Sequence, residues 1–155
     1  MPFSLSRLLT PAVQIEISNR PETMESAPVP PDWVIEGQPE ARVGKISNSE
    51  DTFTSTFIWS CTAGRFNWYF ASDETVHIIE GEVIVTDDHG EQRRLGPGAV
   101  ALFRAGSHSV WHVPHFVKKI AFIYEAPPVA VSLSLRALRK ILTLMRGTPK
   151  SRLAA

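Results

Sequence analysis

The sequence predicts an all-β fold, a sandwich or barrel of short strands, with an extended N-terminal arm and one C-terminal α-helix. Three observations predict it. Between Trp33 and Tyr124 apolar residues recur mostly at period two. Short β-branched and aromatic runs are separated by glycine-bearing turns, and no part of that region keeps a helical period for long. At 155 residues the chain makes one ordinary domain with an appendage, long enough to bury a real core.

The elements follow in order. "MPFSLSRLLTPAV" reads as a terminal arm, and residues 20–32, "RPETMESAPVPPD", hold four of the twelve prolines and little that is bulky, so the arm stays extended. "TFTSTFIWSC" alternates Phe53, Phe57 and Trp59 against Thr54, Thr56 and Ser60. "TVHIIEGEVIVT" is β-branched and runs through Gly81, which predicts a bulge or bend. "DDHGEQ" is a tight turn, Gly96–Gly98 another, and Ala105–Gly106 a third, each leading into a further strand. After the proline break "EAPPVAV", Leu135, Leu138, Ile141, Leu142 and Met145 form an apolar stripe on an amphipathic helix over 132–146, which Gly147 and Pro149 end. The expected division is an arm at 1–32, a barrel at 33–126, and a helix with a basic tail at 127–155.

Acids and bases balance at sixteen each, which recommends neither a nucleic-acid nor a membrane partner. Six of the bases lie from Arg136 onward with no acid among them. Cys61 is the only cysteine, so neither an intrachain disulfide nor a zinc–cysteine cluster is available. With no apolar run of membrane-spanning length and no signal-peptide pattern, a cytoplasmic location is expected.

The ordered set Trp59, Gly64, Asp73-Glu74, Glu80-Gly81-Glu82, Gly90, Gly98, Ala105-Gly106, Trp111 and Lys119 resembles a single-domain cupin over about residues 50–124. It is most similar to the branch containing ureidoglycine aminohydrolase and the ethanolamine-utilisation cupin. The resemblance implies a double-stranded β-helix, a jelly-roll barrel whose mouth holds the site, and a homodimer. Metal-binding cupins supply two histidines and a glutamate from a first motif and a histidine from a second. Here those positions fall on Trp68, Phe70, Glu74 and Ser109, so one ligand of four survives and no metal or other cofactor is expected. The other histidines do not rescue a site. His108 and His112 lie about 13 Å apart along a straight strand, too far for two imidazoles to share one ion.

Under this mapping Trp68, Phe70 and Glu74 face inward, with Trp59, Ser109 and Trp111 beside them. That makes an aromatic cup with one carboxylate, the kind of concave apolar site that binds a small molecule. Glu74 either has its pKa raised by desolvation and acts as an acid or base, or stays ionised beside a cation: Arg65, Arg104, Lys119 or a bound ammonium group. The competing reading is a barrel filled by its own rings. Three functions therefore stay open: binding of a small polar or nitrogen-containing metabolite, an aminohydrolase- or isomerase-type reaction using Glu74, and a non-catalytic assembly module.

Overall fold

The computed structural model describes residues 23–126 and Leu138. The arm before residue 23 and, Leu138 aside, the helix expected over 132–146 lie outside the described residues.

Residues 23–126 are all β apart from one 3-10 turn at Pro31–Trp33. Its strands are β1 (Glu25–Ser26), β2 (Val34–Gly37), β3 (Ala41–Asn48), β4 (Thr54–Tyr69), β5 (Asp73–Gly81), β6 (Val83–Thr86), β7 (Gln92–Leu95), β8 (Val100–Phe103) and β9 (His108–Tyr124). The turns between them fall where the glycines were, at Gly90, Gly98 and Gly106, each with positive φ.

Two long strands organise the rest. β4 and β9 pair antiparallel from Thr54↔Tyr124 to Tyr69↔His108, and their register shifts between Thr62 and Gly64. Opposite that shift β9 carries Pro114, which has no N–H to give a ladder. On either side of the shift the pair takes different neighbours. Residues 55–61 of β4 pair with β3, and residues 117–124 of β9 pair with β5, which in turn pairs with β8. Residues 64–66 of β4 pair with β2, and residues 110–112 of β9 pair with β6, which pairs with β7. The first set, with β1 on its β3 edge, is one face of a jelly roll; the second set is the other.

Gly81 makes the matching bend in β5. Its φ is 69°, and a Cβ there would stand 2.0 Å from the carbonyl oxygen of Phe116. The neighbouring Glu82 amide donates to that same oxygen at 3.0 Å. The backbone of β5 thus lies against β9 where only glycine fits.

The shift at Thr62–Gly64 also inverts the inward parity of β4. Trp59 and Cys61 point in before it, and Phe66, Trp68 and Phe70 after it. These meet Val76, Ile78, Val83, Val85, Trp111, Val113 and Val117 in one core between the sheets.

Candidate functional site

At the centre of the barrel is an ion pair. Lys119 leaves β9 between its strand neighbours Trp59 and Ile78 and reaches along the interior to Glu74 at the start of β5, with Nζ 2.6 Å from Oε1. Its side chain is 2% exposed and that of Glu74 12%. The ammonium lies 4.6 Å from the ring centroid of Trp111, 5.0 Å from Trp59 and 5.7 Å from Trp68. Three indole faces and one carboxylate therefore replace the water that a lysine would normally keep. Burial pulls the Lys119 pKa below its ordinary 10.5, against the opposing pull of the Glu74 carboxylate.

The rings hold one another. Trp59 packs edge-on to Trp68 and Trp111, at 5.5 and 6.0 Å between centroids, and Trp33 packs edge-on to Trp68 at 5.7 Å. Such crossed pairs are favoured by the ring quadrupoles. Trp111 Nε1 donates to Ser109 Oγ at 3.1 Å, so its only polar atom is satisfied inside the core. Phe70 stacks on Phe103 of β8 at 4.4 Å and 6°.

The six residues expected at the site are thus brought to one interior, but as two groups. Trp59, Trp68, Trp111 and Glu74 enclose Lys119. Phe70 and Ser109 lie toward the mouth, and of the six only Ser109 lines its open cavity. That cavity has a volume of about 440 Å³. Its apolar wall includes Val85, Leu95, Ala101 and Phe103, and its rim carries Asp87, Asp88, Arg93, Arg104 and His108.

The rim is ordered by hydrogen bonds. Asp87 Oδ1 accepts from the amides of His89 and Glu91, and its Oδ2 from Arg93, which together hold its carboxyl below the usual range. Asp73 takes the Ala105 amide at 2.8 Å and Arg104 at 2.9 Å, and its pKa is lowered by the same two contacts. His108 bridges the two sides of the mouth. Its Nδ1 is 2.8 Å from Asp88 Oδ1 and its Nε2 2.9 Å from Asn67 Oδ1.

These residues do not fit a metal. The side chains of Trp68, Phe70 and Ser109 offer no imidazole, thiolate or carboxylate, and the one carboxylate beside them, that of Glu74, is already paired with an ammonium. Among the described residues no three of His, Cys, Asp and Glu converge to hold an ion.

The model of the EutQ-like cupin domain matches residues 48–121. The barrel is a cupin related to the EutQ branch. Solved structures share its architecture. The Clostridium difficile EutQ protein is 19% identical with a TM-score of 0.52, over 58% of this chain and 71% of its own. A putative ethanolamine utilization protein from Salmonella typhimurium LT2 is 16% identical with a TM-score of 0.52, over 68% of this chain and 96% of its own. A DUF861-family protein of unknown function from Pseudomonas syringae pv. tomato is 17% identical with a TM-score of 0.60, over 65% of this chain but only 44% of its own. At these identities the likeness is one of fold. No curated protein matches the chain.

Two features of this cupin escaped the residue-by-residue reading. Lys119 stood among three candidate cations, although its position between the inward Val117 and Ala121 marks it alone as facing the core. The bridge through His108 had no signal, because Asn67 and Asp88 are distant in sequence and meet only once the sheets are folded.

Proposed function

We propose that this cupin binds a small polar or nitrogen-containing metabolite without a metal, in the mouth cavity that Phe103 and Ser109 line. One observation carries the reading: Lys119 Nζ lies 2.6 Å from Glu74, between the three indoles. The place where an ion or a ligand ammonium would sit is filled by the chain's own cation. A ligand is left the cavity over Phe103 and Ser109, large enough for a small metabolite and apolar on its wall. Asp88 uses Oδ1 for His108, and Oδ2 has no partner among the described residues, so it is positioned to accept from a ligand N–H.

The test is a thermal-shift screen of amines, ureides, carboxylates and sugars beside divalent metals, on wild type, Asp88→Asn and Ala101→Trp. A ligand at a hundred times its dissociation constant stabilises the fold by about 2.7 kcal/mol. An organic ligand is expected to shift wild type, to shift Asp88→Asn less, and to leave Ala101→Trp unmoved because the indole fills the cavity. Stoichiometric metal in the purified protein, lost in Glu74→Gln, would overturn the reading.

A second reading is favoured by the short contact between Glu74 and an amine of depressed pKa. A proton passed between them would serve an aminohydrolase- or isomerase-type reaction, with Glu74 as the acid or base. Turnover of any ligand found in the screen, abolished in Glu74→Gln, distinguishes this reading from binding alone.

A further inference from the structure

The jog between the two sheets opens a second recess, on the outside of the barrel. The register of β4 against β9 shifts between Thr62 and Gly64, with Pro114 opposite. A cleft of about 210 Å³ lies there, the share of about seven liquid waters. It is separate from the mouth cavity, since no residue lines both. Its floor is bare backbone. Gly37 of β2 pairs with Gly64 of β4, and neither takes a side chain without crowding. A Cβ on Gly37 would stand 3.3 Å from Gly64 Cα, and one on Gly64 2.9 Å from Pro39 Cβ.

Three ionisable side chains line this cleft in one row. Cross-strand register places Glu36 beside Arg65, and Arg65 beside His112. Phe66, Trp111 and Val113, their neighbours along β4 and β9, point into the core, so period two turns Arg65 and His112 outward. Side chains directly opposite each other on antiparallel strands start about 4.5–5.5 Å apart at Cβ. Glu36 and Arg65 nevertheless form no ion pair with each other. Among the described residues the paired cations are Arg93, Arg94, Arg104, His108 and Lys119, and the row contributes none of them.

We propose that this outer cleft binds a free α-amino acid. The charges select that class. A simple anion would meet Arg65 but also the Glu36 carboxylate beside it, and a simple amine would meet the reverse. A zwitterion answers both. Its carboxylate takes the planar fork of Arg65 and a ring N–H of His112, and its ammonium donates to Glu36. One carbon carries both groups, which suits an acid and a base on adjacent strands. The floor without side chains lets that carbon lie against the backbone of Gly37 and Gly64.

Residue-resolved amide NMR on the full chain tests this, with glycine, acetate, methylamine and inorganic phosphate as probes. Glycine is expected to move the amides of Gly37, Gly64 and His112 saturably at millimolar concentration. The other three probes each lack one of the two charges or add to the wrong one, and are expected to bind about tenfold more weakly. Glu36 and Arg65 are exposed, so their substitution leaves the core intact. Arg65→Met is expected to abolish the glycine response, and Glu36→Gln to remove the preference for glycine over acetate. Ala101→Trp, which fills the mouth cavity, leaves the glycine response unchanged, so this result is independent of the ligand screen above. No saturable shift at the cleft amides, a glycine response that survives Arg65→Met, or another of the probes binding as tightly as glycine would each overturn the proposal.

Discussion

Lys119 and Glu74 form a buried ion pair, 2.6 Å apart, that joins β9 to β5 beneath a roof of three tryptophans. The pair is held by geometry. Each partner has lost most of its water, and only the other partner and the indole faces replace it. Whether it stabilises the fold is a separate matter, because desolvating two charges can cost as much as their attraction returns.

Removing one partner should therefore be worse than removing both. Glu74→Leu leaves an ammonium in an apolar cage, and it or Lys119→Met alone should cost about 3–5 kcal/mol. The double variant Glu74→Leu/Lys119→Met fills similar volume with apolar groups and should recover most of that loss. Urea denaturation of the two single variants and the double gives the coupling directly. A double variant as unstable as the sum of the singles would show that the pair does not act as a unit.

The same burial sets a pH dependence. The unfolded chain holds the Lys119 proton up to its ordinary 10.5, and the folded chain releases it earlier. Across that window the unfolded state binds more protons, so the Lys119 contribution rises with pH and is lost as pH falls through the folded value. Cys61 acts in the opposite sense. Burial pushes its thiol from 9.0 up to about 12, so its contribution is complete below 9.0 and is lost as pH rises toward 12. Denaturation as pH is raised toward 10.5 should show wild type gaining on Lys119→Met, and above pH 9 losing ground to Cys61→Ala. The buried thiol should also resist iodoacetamide at pH 8 in the native state and react once the chain is unfolded.

The strand pattern was legible because it depends on local chemistry. Trp68, Phe70 and Glu74 alternate inward as period two requires, and Gly81 bends its strand where a β-branched run is interrupted. What was not legible depends on reach. A lysine side chain can snorkel to water or stretch across a core, and period two gives only its direction. Lys119 is committed to Glu74 because the roof of Trp68 and Trp111 comes from the other sheet, a proximity that no local window contains.

The bend at Gly81 separates two kinds of glycine. Gly81→Ala combines positive φ with a Cβ 2.0 Å from the Phe116 carbonyl oxygen, so β5 must move off β9. Gly90→Ala has a similar φ of 80° but nothing within 4 Å of the new Cβ. The second should cost about 1–2 kcal/mol, the penalty of a left-handed residue alone. The first should cost more, in thermal unfolding measured side by side. Equal losses would mean that the approach to Phe116 relaxes without cost.

His108 provides the last test, because its side chain touches both sides of the mouth. Its ring ties Asp88, in the turn after β6, to Asn67 on β4, and lies 4.7 Å from the ring of Tyr69. His108→Ala removes both hydrogen bonds. At about 1 kcal/mol for each partly exposed bond, the expected loss of global stability is about 2 kcal/mol or less. The larger effect should be local: the turn at Asp88–Gly90 loses its tether, while its internal bonds to Asp87 remain. Hydrogen exchange resolved by residue should then show faster opening there than in the β4–β9 ladder. If protection at the turn is unchanged, the Asp87 hydrogen bonds alone order the rim, and His108 does not set the shape of the cavity it lines.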